Sequence, residues 1–218
     1  TPLTTILSST ELLEHYSARM SEDRKLEHLR QISAAVKHMT DLMEDILIIG
    51  KAEAHMLAFV PGPIDLEKYC RDLVEEFQLT AGSQYHLTLI SREQCLAANM
   101  DVNLLRHILS NVLSNAVKYS PRGGDIEFEL TCEEAWVVFR IRDHGIGIPQ
   151  PDQSRIFESF QRGSNTGNIA GTGLGLAIVY RSVALHHGTI NIESEVGVGT
   201  TVTLKLPLNN SSTLQESS

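Results

Sequence analysis

The second of two N-terminal helical segments carries the pattern that most restricts how this chain can fold. Its apolar residues recur in alternating steps of three and four: Leu29, Ile32, Val36, Met39, Met43 and Ile46. That spacing places an apolar stripe along a helix long enough for bundle or coiled-coil packing. In the first segment, Ile6, Leu13 and Met20 recur every seven residues. Because the polar break Ser21-Glu22-Asp23 is short, we predict two antiparallel helices.

A lone hairpin with such a stripe needs a second apolar surface to cover it. A four-helix bundle made by two copies of the chain would supply that surface, so we expect a homodimer through the hairpin. The alternative is an internal hairpin of a monomer. The cluster Val60-Pro61-Gly62-Pro63 interrupts regular structure and predicts a domain boundary. The hairpin domain is therefore assigned to residues 1–60.

Residues 61–208 show a mixture of helical and strand patterns. Helices are predicted at 65–79, 102–119, near 155–158 and at 173–187, and strands at 86–91, 95–98, 126–130, 137–141, 189–194 and 201–206. Three of the helices against a mostly antiparallel or mixed sheet make an α+β two-layer sandwich. The polar residues 209–218 are predicted to be a disordered tail.

Composition and charge limit the classes of partner. The formal net charge of −9 disfavours an extended surface for nucleic acid, although one basic pocket for a small anion is compatible with it. Cys70, Cys95 and Cys132 lie far apart without a CxxC pair, so we expect no disulfide framework and a reducing compartment. No stretch approaches the roughly 18 consecutive apolar residues of a membrane span.

The first cluster with chemical potential lies on the helix predicted at 102–119. Asn111 and Asn115 are four residues apart and share one face, with Lys118 close by. Two amide oxygens suit Mg²⁺, which divides its coordination between few protein ligands, water and substrate phosphates. Taken alone, the cluster reads more simply as the polar face of an amphipathic helix.

Two glycine-containing clusters follow. In Asp143-His-Gly-Ile-Gly-Ile148, an acid at a strand end can accept a hydrogen bond from a purine amino group, and the glycines allow close backbone approach. The segment 171–176, GTGLGL, opens a helix whose free backbone N–H groups can bind an anion. Its GxGxG spacing, after a loop and not a strand, excludes a Rossmann turn, and no GxxxxGK[ST] motif occurs.

The fourth cluster lies between those two. Phe157 and Phe160 are spaced i, i+3 and can anchor a lid, with the glycine-rich stretch after them free to move over a ligand. Arg162 then follows where a phosphate would lie. The alternative is a small core of the two rings beneath a long loop.

Together and in this order, the four clusters resemble the N, G1, F and G2 boxes of the histidine kinase catalytic domain, within the ATPase superfamily that includes gyrase, Hsp90 and MutL. The residues up to Pro63 resemble that family's dimerisation and histidine-phosphotransfer domain. The opening Thr1-Pro2-Leu3 resembles the end of the H box, H-E-x-R-T-P-L. The resemblance covers all but the tail. It implies a sensor histidine kinase core that transfers the γ-phosphoryl group of ATP to a histidine, for relay to a response-regulator receiver domain.

The resemblance also implies the cofactors ATP and Mg²⁺ and a set of residues that bind them. Asn115 would be the main Mg²⁺ ligand, assisted by Asn111, and Asp143 would take the adenine amino group. The implied ATP-binding residues are Asn111, Asn115, Lys118, Tyr119, Asp143, Gly145, Gly147, Ile148, Arg162, Thr172, Gly173, Leu174, Gly175, Leu176 and Thr200.

The chain departs from the family pattern at its start. The phosphoacceptor histidine would lie four residues before Thr1, and none of the nine histidines present has the H-E-x-x-T-P context. We therefore interpret the chain as a fragment that binds ATP without autophosphorylating. Thr1 stands where the family has a residue implicated in dephosphorylating the regulator. The kinase core is expected to be cytoplasmic, with membrane attachment only through segments outside the chain.

Two other functions are compatible with parts of the sequence. A degenerate kinase could dimerise and bind nucleotide as a scaffold, although the intact Asn, Asp and Gly clusters argue against it. A clamp ATPase like gyrase or Hsp90 is disfavoured by the hairpin, and by Asn111 where those enzymes would have a catalytic Glu.

Overall fold

The computed structural model describes residues 1–54, 56–91, 98–167 and 169–209. The chain divides into two compact units, of which the first is Thr1–Ala54. The division falls six residues before the end of the predicted hairpin domain. Within the described ranges, no helix has both the length and the apolar character needed to cross a bilayer.

The first unit is a hairpin of α1 (Pro2–Tyr16) and α2 (Glu22–Glu53), joined through a 3-10 turn at Ser17–Arg19. Ser21 caps α2, since its side chain accepts a hydrogen bond from the Arg24 N–H. The predicted break at residues 21–23 was therefore placed too late. Glu22 and Asp23 are already helical, and their carboxylates lie at the positive end of the helix dipole, which stabilises them.

The apolar stripe of α2 is divided between a covered and an uncovered edge. On the covered edge, Ala35 is buried and Ile32 and Met39 are half-buried. Ser9 of α1 is also buried, and its hydroxyl donates to Gln31 of α2 over 3.2 Å. The uncovered edge is formed by side chains that remain 50–63% exposed, namely Leu29, Val36, Met43 and Ile46. Within a single chain, α1 therefore leaves four of the six stripe residues uncovered.

The second unit contains seven strands and four helices among its described residues. The strands are β1 (Gly62–Ile64), β2 (Tyr85–Ser91), β3 (Ala98–Met100), β4 (Gly124–Glu133), β5 (Trp136–Asp143), β6 (Thr189–Glu195) and β7 (Gly199–Pro207). The helices are α3 (Leu66–Ala81), α4 (Val102–Lys118), α5 (Gln150–Gln153) and α6 (Gly175–Leu185). The main sheet has the order β2-β4-β5-β7-β6, in which β2 and β4 are parallel and the other pairs antiparallel. A small antiparallel sheet pairs β1 with β3.

One face of the main sheet forms the core with the helices. The alternating apolar residues from Ile126 to Leu130 and from Val137 to Ile141 are at most 1% exposed. The rings of Phe128 and Phe139 lie 6.2 Å apart. The apolar face of α4, including the fully buried Leu105 and Leu109, packs into the same cluster. Intervening residues such as Arg140 lie on the opposite face. The architecture is the predicted helical hairpin followed by an α+β two-layer sandwich.

Several local predictions differ from the structure. The helix predicted near residues 155–158 is wrong, because the short helix α5 begins directly after Pro149 and the chain then turns. The predicted interruption at residues 60–63 partly forms β1, whose Pro63 is tolerated in a short edge strand. Of the strand predicted at 95–98, only Ala98 is described, and it opens β3.

Two further sequence expectations concern the cysteines and the tail. Cys70 is a free, buried thiol, whereas Cys132 is disulfide-bonded. The prediction of no disulfide framework, made from the cysteine spacing, is therefore contradicted at Cys132. In the predicted tail, Asn209 forms a bridge with Asn99. Residues 210–218 lie outside the described residues, as does His55.

Candidate functional site

Asp143 occupies the end of β5 and is 8% exposed. Its Oδ1 accepts hydrogen bonds from the backbone N–H of Gly145 (2.8 Å) and of Thr200 (3.2 Å). No described residue donates to Oδ2, which leaves that oxygen available to a ligand. Burial raises the pKa of Asp143 above its ordinary value, and the two amide hydrogen bonds partly oppose this shift.

The two glycines after Asp143 hold the following loop against its surroundings. A Cβ at Gly145 would lie 2.2 Å from the Tyr119 carbonyl oxygen, which accepts the Ile146 N–H over 2.9 Å. A Cβ at Gly147, whose φ is +67°, would lie 2.0 Å from the Glu195 carbonyl oxygen. Only residues without a side chain fit at these positions. The loop therefore contacts both the end of α4 and the β6–β7 turn.

Ser194 at the end of β6 links this loop to β7. Its Oγ accepts the Ile148 N–H over 2.8 Å and lies 2.8 Å from Oγ1 of Thr200. Gln153 of α5 donates from Nε2 to the carbonyl oxygens of Ile148 and Ser194, each over 2.9 Å. Neither Ser194 nor Gln153 was among the residues predicted from the sequence. Their local sequence holds no signal for these roles, which arise from the pairing of Ser194 with Thr200 across β6 and β7.

Asn111 of α4 lies beside the start of α6, and Asn115 follows one turn later on the same helix face. The side-chain amide of Asn111 donates from Nδ2 to the His107 carbonyl oxygen over 2.9 Å, which leaves Oδ1 as a possible ligand. A Cβ at Gly175 would lie only 2.5 Å from that Oδ1. Asn115 is half-buried, and its side-chain amide makes no hydrogen bond within the described part of the chain. Two amide oxygens on one helix face match the hard ligands that Mg²⁺ prefers.

Lys118 and Tyr119 end α4 beside the glycine-rich loop. Nζ of Lys118 lies 4.6 Å from the centre of the Tyr119 ring. A Cβ at Gly171 would lie 2.2 Å from Nζ and 3.5 Å from the Tyr119 hydroxyl. This ammonium group is therefore positioned at the beginning of GTGLGL, where it can neutralise an anion bound by the loop.

The GTGLGL segment is held by its own side chains and by a neighbouring turn. Oγ1 of Thr172 accepts the Leu174 N–H over 3.1 Å. Gly173 has a φ of +74°, and its carbonyl oxygen accepts the Phe160 N–H over 3.0 Å. The Leu174 side chain is fully buried, so only its backbone is available to a ligand. Helix α6 begins at Gly175, two residues later than predicted, with Leu176 half-buried in its first turn.

The fourth predicted cluster is more dispersed. Phe157 packs against Tyr180 of α6 with ring centres 5.5 Å apart, whereas Phe160 is 69% exposed. Nη2 of Arg162 donates to Oγ1 of Thr166 over 3.2 Å and to the Ile169 carbonyl oxygen. Both contacts lie in its own loop, and neither involves a residue of the Asn111–Lys118 cluster. Thr1 belongs to the first unit, where its hydroxyl caps α1.

A groove of about 720 Å³ lies on the outer face of the main sheet, beside Asp143. It shares only Asp143 and Thr200 with the predicted ATP-binding residues. The rest of its lining is dominated by charged strand residues such as Glu127, Arg140 and Glu193. The groove is therefore distinct from the cluster on α4 and α6, whose side chains and backbone N–H groups could bind a cation and an anion.

Together, fold and site define a class: an α+β sandwich that carries a glycine-rich loop beside a helix with two amide side chains, preceded by a helical hairpin. Residues 100–210 match the family model described as histidine kinase-, DNA gyrase B- and HSP90-like ATPase. The circadian input-output histidine kinase CikA of Synechococcus elongatus is 33% identical over 95% of this chain and 28% of its own length. The sensor histidine kinase WalK of Bacillus subtilis is 32% identical over 95% of this chain and 34% of its own length.

Solved structures agree with this similarity. Full-length ShkA, in complex with AMPPNP, aligns with a TM-score of 0.73 at 25% identity, over 96% of this chain and 44% of that one. The Acinetobacter baumannii histidine kinase AdeS aligns with a TM-score of 0.72 at 21% identity, over 96% of both chains, and supports the fold. The chain belongs to the histidine kinase-, gyrase B- and HSP90-like ATPase family. It spans about a third of the length of the curated sensor histidine kinases that it matches.

Proposed function

We propose that this chain is the dimerisation and ATP-binding core of a sensor histidine kinase in a two-component system. The observation that carries the proposal is the convergence of three separate motifs. Asp143 offers a free carboxylate oxygen on one side, and the Asn111–Asn115 face of α4 meets the start of α6 on the other. The Tyr119 backbone joins the two sides through its bond with Ile146. In this proposal residues 1–60 form the hairpin domain and residues 61–208 the ATP-binding domain.

The bound nucleotide would lie between the two sides of this cluster. Oδ2 of Asp143 would accept a hydrogen bond from the adenine amino group. The base pocket would be formed by Gly145, Gly147, Ile148 and Thr200. The glycines are required there because a side chain at either would collide with backbone. The phosphates would lie toward Lys118 and the backbone N–H groups of residues 172–176, at the positive end of α6.

The metal would be held by the two amides of α4. Asn115 and Asn111 each present an oxygen without another partner in the described residues, which suits Mg²⁺ shared with phosphate oxygens. When bound, the metal would neutralise charge on the phosphates. The contribution of the chain itself is positioning: it orients the nucleotide, holds Lys118 beside the phosphates and leaves the γ-phosphoryl group directed at a histidine acceptor.

Dimerisation would use the uncovered edge of the α2 stripe. Leu29, Val36, Met43 and Ile46 recur along one line of the helix and remain half or more exposed in the single chain. Burying these side chains against a second copy would remove apolar surface from water, at roughly 25 cal/mol per Å². The resulting four-helix bundle would carry the acceptor histidine and bind the receiver domain of a response regulator, with Thr1 near that histidine. The core would act in the cytoplasm.

Phosphoryl transfer is tested on a longer chain that carries the histidine predicted upstream of Thr1. After incubation with Mg²⁺ and γ-labelled ATP, we expect acid-labile, alkali-stable label on the protein, and loss of that label in Asn115→Ala. Label that survives acid would contradict a histidine acceptor. Label that persists in Asn115→Ala would contradict the proposed metal site.

Sedimentation tests the proposed dimer with Val36→Lys, and the exposed Lys37→Ala is the control.

A further inference from the structure

Three side chains outside the recognised motifs connect the candidate base pocket to the loop after Arg162. Asp152 and Gln153 lie on α5, and Asn165 lies at the start of the loop that leads to GTGLGL. None of the three was predicted from the sequence as a site residue. Each bonds to a backbone group whose position shapes the pocket or the loop. The inference drawn from them rests on the proposed nucleotide site.

Asn165 makes the most direct of these connections. Its Nδ2 donates to the carbonyl oxygen of Gly147 over 2.9 Å and is 3.4 Å from that of Ile146. Its Oδ1 is buried and has no partner among the described residues. An unpaired buried acceptor is unfavourable, so this orientation of the amide needs a compensating interaction. The hydrogen bond that Nδ2 donates to Gly147 supplies it. The donor binds the backbone of the predicted base pocket.

The segment that carries Asn165 is itself fixed from the other side. Oδ2 of Asp152 accepts both the N–H and the hydroxyl of Ser164, over 2.7 and 2.8 Å. These two hydrogen bonds lower the pKa of Asp152. Gln153, the next residue of α5, bonds the carbonyl oxygens of Ile148 and Ser194. The short helix α5 therefore connects to the loop through one side chain and to the pocket through the next.

Gly147 is the point at which these restraints meet. Its positive φ and its close approach to the Glu195 carbonyl oxygen place its backbone in a conformation with little room for adjustment. Asn165, in the separate loop after Arg162, donates to the carbonyl oxygen of the same residue. We propose that Asn165 is a positioning residue for adenine: it holds the Gly147 backbone so that the base pocket is formed before the nucleotide binds.

The proposal is tested on the chain as it stands, with Asn165→Ala and the isosteric Asn165→Asp. The control is Asn191→Ala, at an exposed asparagine of β6 whose side chain bonds only Glu193 in the described structure. Hydrogen exchange without nucleotide should become about tenfold faster at residues 144–149 in both Asn165 variants, because one hydrogen bond of this kind corresponds to about that factor. Exchange in Asn191→Ala should match the parent chain.

Nucleotide affinity supplies the second measurement. ATP and ADP should both bind about tenfold more weakly to the Asn165 variants, by the same factor, because the residue acts on the base and not on the phosphates. Lys118→Ala should instead lose more affinity for ATP than for ADP. A loss confined to ATP in the Asn165 variants would overturn the proposal, as would unchanged exchange at residues 144–149.

These outcomes separate the inference from the proposed function. If the parent chain binds ATP and the Asn165 variants bind it equally well, the positioning role fails while the nucleotide site stands. If the parent chain binds no ATP, the proposed function fails. The exchange measurement needs no nucleotide, so it still decides whether Asn165 holds the Gly147 loop.

Discussion

Adding one methyl group at Gly147 tests how tightly the loop after β5 is packed. Residues other than glycine at positive φ cost about 1 kcal/mol. The new Cβ would lie 2.0 Å from the Glu195 carbonyl oxygen, so these atoms would have to separate by about 1.4 Å to reach ordinary contact. A shift of that size breaks the bond from the Gly197 N–H to the Ile146 carbonyl oxygen and strains the bond that Asn165 donates.

A broken hydrogen bond costs about 0.5–1.5 kcal/mol and a strained one at most about the same, so together with the positive φ Gly147→Ala should lower the free energy of unfolding by about 1.5–4 kcal/mol. Gly197→Ala is the matched control. Its φ is +79° on the neighbouring turn, no atom lies within 4 Å of its Cβ, and its N–H bond can persist, so only about 1 kcal/mol is expected. Urea unfolding measures both variants. Equal losses would refute the packing argument.

Three further predictions concern charge, burial and helix propensity. Asp143→Asn should abolish ATP binding but stabilise the chain at pH 7, because burial raises the pKa of Asp143 and makes its charged form costly in the folded state. The gain in stability should vanish as the pH falls from the raised pKa to 3.8. A gain that is independent of pH in urea unfolding would contradict this. Because burial lowers the pKa of His186, the stability of the parent chain should decrease as the pH falls below 6.5. His186→Phe should remove that part of the pH dependence, and identical pH profiles of the two chains would contradict the role of His186. Gly50→Ala, inside α2 with no atom near its Cβ, should raise the hairpin's stability by about 0.5–1 kcal/mol, measured by thermal melting; a loss would contradict it.

Much of the fold was predictable because its signals are local. Alternating apolar residues predicted β4 and β5, and Asp65 caps α3 as expected, with its side chain accepting the Lys68 N–H. The resemblance to histidine kinases, based on four motifs, is confirmed by the family match and by relatives that cover 95% of the chain.

What could not be predicted depends on long-range register and on competition between local preferences. Ser194 reaches Ile148 only because β6 and β7 place it opposite Thr200, which in turn pairs with Asp143. No local pattern encodes those pairings. The helix expected near residues 155–158 does not form, because α5 begins early, directly after Pro149, and Phe160 takes a positive φ that a continuing helix does not allow.

The division of the α2 stripe was also beyond the periodicity argument. Steps of three and four place Leu29, Ile32, Val36 and Met39 on one broad face, but they do not say how much of that face α1 covers. The structure separates a buried edge at Ala35 from an exposed edge at Val36. That exposed edge is what the proposed second copy of the chain would cover.

The central claim is that Asp143 and Asn115 bind the two ends of one ATP·Mg²⁺ molecule. Calorimetry on this chain, with and without Mg²⁺, tests it most directly alongside Asp143→Ala and Asn115→Ala. We expect binding in the micromolar range that is lost in both variants, with Mg²⁺ strengthening binding to the parent chain. Absence of binding in the parent chain, or binding unaffected by both substitutions, would contradict the account.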